Sequence, residues 1–151
     1  MINNAGIIGS TGLVDSEGHD LLLKTNHLGH FLLTVLLMDL IVKTPESRVI
    51  TVSSISHTSV KSRVNFKDSY EGTETNIGGA YGVSKYANVL FSIALQNRFN
   101  NAGLKAKSVS LHPGIVKSEL WRNVTNTNGS RLKGCCLAVC IPIGSIGLLT
   151  E

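Results

Sequence analysis

Tyr81 and Lys85, the ends of Tyr81-Gly82-Val83-Ser84-Lys85, carry the first chemical signal in this 151-residue chain. On a helix, positions i and i+4 share one face, so the two side chains project together. A phenol ionises at about pH 10 and is a poor base at neutrality, but an ammonium one turn away favours its anion and lowers that pKa. A tyrosine tuned in this way passes a proton to or from an alcohol oxygen. The same pair is commonplace on ordinary helices, and its meaning comes from its neighbours. Ser54 ends the β-branched run Arg48-Val49-Ile50-Thr51-Val52-Ser53-Ser54, the place where open α/β sheets set their ligand crevice. Its hydroxyl can donate to a substrate oxygen or simply cap a helix or turn. Asn26 sits inside an apolar helical pattern, where an amide costs free energy unless it is paired. Gly29, in the same pattern, costs about 1 kcal/mol relative to alanine unless close packing requires it.

Those side chains need elements to hold them. Residues 1–6 read as a strand end running into a turn at Asn-Ala-Gly. Leu21, Leu22, Leu28, Phe31, Leu32, Val35, Leu36 and Leu40 recur at three- and four-residue spacing and predict one long helix from His19 to Val42, ended by Pro45 and Ser47. Arg48 to Ser54 predicts a buried parallel strand. Ser56 to Gly79 is polar and aperiodic, a long loop of the kind that is functional or mobile. A second helix is predicted from Ala80 to Asn100, with Tyr86, Val89, Leu90, Ile93, Ala94 and Leu95 as its apolar face. A strand from Lys105 to His112 follows and stops at Pro113-Gly114. Strand, helix, strand, helix, strand specifies an α/β domain with parallel strands and right-handed crossovers. Three strands make a thin sheet, because parallel strands are covered on both faces.

Taken together and in order, Asn3-Asn4-Ala5-Gly6, Asn26 in a long helix, Val52-Ser53-Ser54, Tyr81-x-x-x-Lys85 and Pro113-Gly114-Ile115-Val116 resemble the motifs of short-chain dehydrogenases/reductases. The stretches at 25–34, from Tyr81 to Phe91 and from His112 to Leu120 are similar to the retinol-dehydrogenase-like branch. The resemblance implies the C-terminal, catalytic part of a partial Rossmann-type doubly wound parallel sheet. It implies an oxidoreductase that moves a hydride between NAD(P)(H), NADP(H) in preference to NAD(H), and a lipophilic alcohol, aldehyde or ketone. By that resemblance Tyr81 is the general acid/base, Ser54 steadies the substrate oxygen, Lys85 binds the nicotinamide ribose and tunes Tyr81, and Asn26 supports a water in the proton relay. Asn4, Ala5 and Gly6 would lie along the adenosine side, and Pro113, Gly114, Ile115 and Ser118 at the nicotinamide end. Ser118 stands where the family often has threonine, and a hydroxyl is retained.

The family's Thr-Gly-x-x-x-Gly-x-Gly turn, which seats the pyrophosphate at a helix N-terminus, has no counterpart here, since Thr11-Gly12 through Gly18 has the wrong spacing and follows Asn-Ala-Gly. Residues 1–151 are therefore expected to be a single incomplete domain: 1–120 family-like, 121–151 the variable substrate-loop region, with roughly three strands preceding Met1. A rival reading is a non-catalytic fragment or pseudoenzyme that cannot hold cofactor and acts, if at all, as an interaction module.

Composition narrows the field further. The net charge of +4 is scattered and aromatics make up 5%, so the footprint of a nucleic-acid binder is missing. Cys135, Cys136 and Cys140 lack the spacing of a zinc site, and His27 and His30, three apart, read as helix packing, so no metal is expected. Met1-Ile2-Asn3-Asn4 has neither the basic n-region nor the apolar h-region of a signal peptide, and the chain is expected to be intracellular, either cytoplasmic or membrane-associated, the endoplasmic reticulum included. Cys135 to Leu149 is apolar but too short and broken to span a bilayer, which leaves ordinary core, a substrate pocket or membrane-surface contact. A homo-oligomer is compatible with all of this.

Overall fold

The computed structural model describes residues 1–9, 13–60, 64–71, 77–114 and 120. Ile115, Ser118, the three cysteines and segment 121–151 lie outside the described residues. Three parallel strands form one sheet in the order β1 (Ile2–Asn3), β2 (Arg48–Val52), β3 (Lys107–Leu111). Ile2, Ile50 and Val109 stand in one row of the register, Asn3, Thr51 and Ser110 in the next. The strand-helix alternation read from the sequence is thus present, with each strand a little shorter than expected.

The first crossover is less regular than its periodicity suggests. It runs through α1 (Leu21–Leu23), a π-turn (Lys24–Leu28), α2 (Gly29–Leu36) and α3 (Met38–Lys43). Asp20 caps the start, its carboxylate accepting from the Leu23 amide at 2.5 Å, which moves the beginning from His19 to Leu21. Leu37, with φ −95° and ψ 5°, breaks the helix before α3. The Gly29 amide closes the π-turn on the Lys24 carbonyl. A Cβ on Gly29 would meet only that carbonyl, at an ordinary 3.6 Å, so the close packing that could excuse this glycine is absent.

The second crossover is α5 (Ile77–Asn101). Before it, the stretch read as a loop contains a 3-10 turn (Ile55–Ser59) and α4 (Phe66–Tyr70), each begun by a side-chain cap. Ser54 accepts from the Ser56 amide at 3.2 Å and Asn65 from the Lys67 amide at 3.1 Å.

Both crossovers pack on the same face of the sheet. Val49 of β2 meets Ile41 from the first and Leu95 and Phe99 from the second, with Ala106 before β3. Most of the residues chosen by apolar spacing are, however, turned outward, although Leu22 and Leu95 are buried. Asn26, His30 and Thr34 are the buried stripe of the first crossover, and Phe31, Leu32, Val35, Leu36 and Leu40 are exposed. On α5 the buried stripe runs Tyr81, Ser84, Lys85, Asn88, Ser92, Leu95 and Phe99, while Leu90 and Ile93 are exposed and Ala94 faces out. Much of the polar stripes is hydrogen-bonded: Asn26 Nδ2 donates to Ser84 Oγ at 3.0 Å, Thr34 Oγ1 to the His30 carbonyl at 2.7 Å and Asn3 Nδ2 to Thr34 Oγ1 at 3.1 Å, whereas Ser92 Oγ is buried without a partner. Among the described residues, no helix is long and apolar enough to cross a membrane.

Candidate active site at the carboxyl edge of the sheet

Because the strands are parallel, their carboxyl ends share one edge. Asn4 to Gly6 leave β1 there, Ser53-Ser54 leave β2 and His112 to Gly114 leave β3. Ser53 Oγ donates to the backbone carbonyl of Lys85 at 2.8 Å, stitching the start of α5 to the end of β2. A Cβ on Gly82 would come within 2.5 Å of Ser59 Oγ and 2.8 Å of the Ser56 carbonyl, so glycine here lets the 3-10 turn press against α5. These contacts bring Ser54 to Tyr81, whose phenol takes a hydrogen bond with the Ser54 hydroxyl. Lys85 Nζ lies 5.6 Å from the centre of the Tyr81 ring and donates to the Val52 carbonyl at 3.2 Å.

The electrostatics differ from the expectation. Burial raises the Tyr81 phenol above its ordinary value, and the Ser54 hydrogen bond only partly offsets this. Lys85 is 4% exposed, and burial brings its ammonium down to about 8. The lysine lies over the ring rather than against the hydroxyl and is itself easily discharged, so desolvation outweighs the depression of the phenol that spacing alone suggested.

Asn26 is fully engaged. Its side-chain amide pairs with the backbone of Ile7 as another peptide would, Oδ1 accepting from the Ile7 amide at 2.8 Å and Nδ2 donating to the Ile7 carbonyl at 3.0 Å. Its own carbonyl accepts from His30 Nδ1 and Asn88 Nδ2, both at 3.0 Å. Asn26 therefore clamps the chain leaving β1 onto the helices, which answers the cost of burying it. A Cβ on Gly6 would lie 3.4 Å from both Asn26 Oδ1 and Lys85 Nζ; the bare glycine leaves a small slot walled by an acceptor and a cation.

Asn4, Ala5 and Pro113 are exposed along the edge, and Gly114 adopts φ +80°, a backbone that side chains resist. These residues fit the ribose and nicotinamide part of a dinucleotide: the Lys85 ammonium and Tyr81 hydroxyl could donate to a ribose, and the Gly6 slot and Gly114 turn would let a ligand approach the backbone closely.

Sequence reasoning missed several partners. Ser53, Ser84 and Asn88 look like ordinary helix or strand residues until the fold brings them together. His57 and His112 reach the same edge: His57 Nδ1 is 2.6 Å from the Ser54 carbonyl, and burial, then the nearby His57, lowers the His112 pKa. In the segment between β1 and α1, Asp15, Glu17 and His19 bring ligand-type atoms within 4.8 Å of one another. Asp15 there is already hydrogen-bonded to the Lys24 ammonium, which holds its carboxyl far below the usual carboxylate range, and His19 stacks on Tyr70 at 4.3 Å. His27 and His30, read as packing residues, do pack, on Asn88 and Asn26.

The family model of the short chain dehydrogenases matches residues 1–129. The chain belongs to the short-chain dehydrogenase family. It is 36% identical over 138 residues to human retinol dehydrogenase 13, covering 91% of this chain and 40% of the relative. It is 39% identical over 123 residues to human retinol dehydrogenase 11, covering 82% and 37%, and 41% identical over 123 residues to bovine retinol dehydrogenase 12, covering 82% and 38%. The chain thus spans about 40% of the length of these relatives. Among solved structures, an uncharacterised protein from Mycobacterium paratuberculosis matches with a TM-score of 0.63 and 36% identity, over 81% of this chain and 44% of that one. A short-chain dehydrogenase from Sphingobium yanoikuyae in complex with NADPH shares the fold, with a TM-score of 0.58 at 20% identity over 80% and 42%. The retinol-dehydrogenase-like membership and the partial Rossmann-type α/β fold expected from the motifs are both borne out.

Proposed function

We propose that this short-chain dehydrogenase chain carries the acid/base half of an enzyme that interconverts a lipophilic alcohol and its aldehyde or ketone, using NADP(H) in preference to NAD(H). The observation that carries the reading is the convergence of Ser54, Tyr81 and Lys85 at the carboxyl edge of a parallel sheet. The lipophilic substrate class rests on the likeness to retinol dehydrogenases.

When bound, the nicotinamide supplies or takes the hydride. Asn4, Ala5 and Gly6 would lie along the dinucleotide's adenosine side, Lys85 and Tyr81 would hold the ribose, and Pro113 and Gly114 would meet the nicotinamide end, to which the family resemblance also assigns Ile115 and Ser118. Ser54 donates to the substrate oxygen and fixes it beside Tyr81. The raised phenol is protonated at neutral pH, the form that gives a proton to a carbonyl oxygen. The slot beside Gly6 offers a water two partners, Asn26 Oδ1 and Lys85 Nζ, and through such a water Lys85 returns a proton to Tyr81.

Tyr81→Phe keeps the ring and its contact with Lys85 and removes the proton. In a preparation that turns over retinaldehyde with NADPH, it is expected to lower kcat by roughly 100- to 10,000-fold with KM little changed. Retained turnover would sink the assignment. Saturable enhancement of NADPH fluorescence by the 151-residue chain is the companion result, and its absence would favour the non-catalytic reading.

A further inference from the structure

Asn88 lies one turn beyond Lys85 on α5, is 0% exposed and has no part in the steps above. Its amide reaches both neighbouring elements. Nδ2 donates to the Asn26 carbonyl in the π-turn at 3.0 Å and to the Val52 carbonyl at the end of β2 at 3.1 Å. Oδ1 stands 3.1 Å from His27 Nδ1. The two carbonyls dictate which end of the amide is nitrogen, and Oδ1, an acceptor, then requires His27 to carry its proton on Nδ1. Burial lowers the His27 pKa, so the neutral Nδ1–H ring is the species that fits.

The Val52 carbonyl is the decisive atom. It also accepts from Lys85 Nζ at 3.2 Å, and among the described residues it is the one acceptor that this ammonium has. Asn88 and Lys85 thus divide a single carbonyl, while the other Nδ2 hydrogen of Asn88 holds the π-turn that carries Asn26. If α5 needed only packing, a leucine would fill this volume and leave no amide to satisfy.

We propose that Asn88 is a positioning residue for the Tyr81–Lys85 pair: by sharing the Val52 carbonyl with Lys85 and gripping the π-turn through Asn26 and His27, it sets where the ammonium rests and keeps α5, β2 and the first helix in register. The catalytic consequence rests on the oxidoreductase reading, whereas the placement of Lys85 does not.

The test is the titration of Lys85 in the full chain, followed by NMR of 13C-labelled lysine side chains and assigned with Lys85→Met. The groups facing Lys85 are Tyr81 on its own helix and His30 across the interface; β2 contributes only the Val52 carbonyl and hydroxyls. Asn88→Leu leaves the Val52 carbonyl to the ammonium alone, which favours the charged form. The Lys85 pKa is expected to rise by about half a unit to one unit. An unchanged value in a folded Asn88→Leu chain overturns the proposal, since an amide that merely satisfied buried carbonyls would lower stability without touching Lys85. A jump to the ordinary lysine value also overturns it, because Lys85 would then have escaped to water. If Asn88→Leu does not fold, His27→Leu decides: without the Nδ1–H the Asn88 Oδ1 loses its donor and the amide is held less firmly on the Val52 carbonyl, so a smaller rise in the Lys85 pKa is expected, with no rise overturning the proposal. In a preparation that turns over, the pH profile of kcat should move with the Lys85 value while KM stays put.

Discussion

Lys85 carries a charge that the fold resists. The residue is 4% exposed, its ammonium has one carbonyl acceptor among the described residues, and its pKa of about 8 lies below the value of the unfolded chain. For a base with a depressed pKa, the unfolded state binds the proton more readily, so stability rises with pH from about 8 to the unfolded value and is lowest below 8. The difference corresponds to at most roughly 3 kcal/mol. Lys85→Met is therefore expected to be more stable than the parent at pH 7 in urea unfolding, with the gap closing as pH approaches 10.5. A constant gap across that window would mean that packing and not charge separates the two. An amine kept where it costs stability is what a site expects of a group used for chemistry.

Gly82 shows how an element, more than a side chain, determines the site. Its missing Cβ admits the 3-10 turn at 2.5 Å and 2.8 Å from where that carbon would be, and one of the two obstacles is the backbone of Ser56. Gly82→Ala must displace the turn and carry Ser54 away from Tyr81. Unfolding measurements are expected to show a loss of about 1 to 3 kcal/mol, and the Tyr81 phenol should titrate still higher without its Ser54 partner. If stability and titration are both unaffected, the turn is looser than its contacts imply. At this level the sequence was readable in part. The order of strands and helices followed from β-branched runs and breakers, and the i, i+4 pairing of Tyr81 and Lys85 held because it is a property of any helix. The π-turn was not legible, since Asn26 within it is held by hydrogen bonds from distant residues such as Ile7, Ser84 and Asn88, and neither the break at Leu37 nor the 3-10 turn leaves a mark in the apolar periodicity.

In the molecule as a whole, both crossover helices cover one face of the sheet. Ile2, 66% exposed, and Val109, 44% exposed, sit in one row on the other face, although parallel strands ordinarily bury both. The outer side of the first helix adds Phe31, Leu32, Val35 and Leu36, the last 72% exposed. Exposed apolar surface on either of these two sides drives association. Sedimentation velocity on the chain alone is expected to show concentration-dependent self-association, reduced by Leu36→Lys. A monomer at all concentrations would contradict this.

Periodicity was enough for the α/β alternation, and the ordered motifs were enough for the resemblance to the family that the family model bears out, because both are local in the chain. Three things were decided only by the tertiary structure: which helix faces are buried, the upward direction of the Tyr81 pKa, and the role of Asn26 as a clamp. Burial and hydrogen-bond satisfaction depend on partners far apart in sequence. A stripe of Asn, His and Thr can line the interior only when another element brings the matching donors and acceptors, and that pairing is written in no single segment.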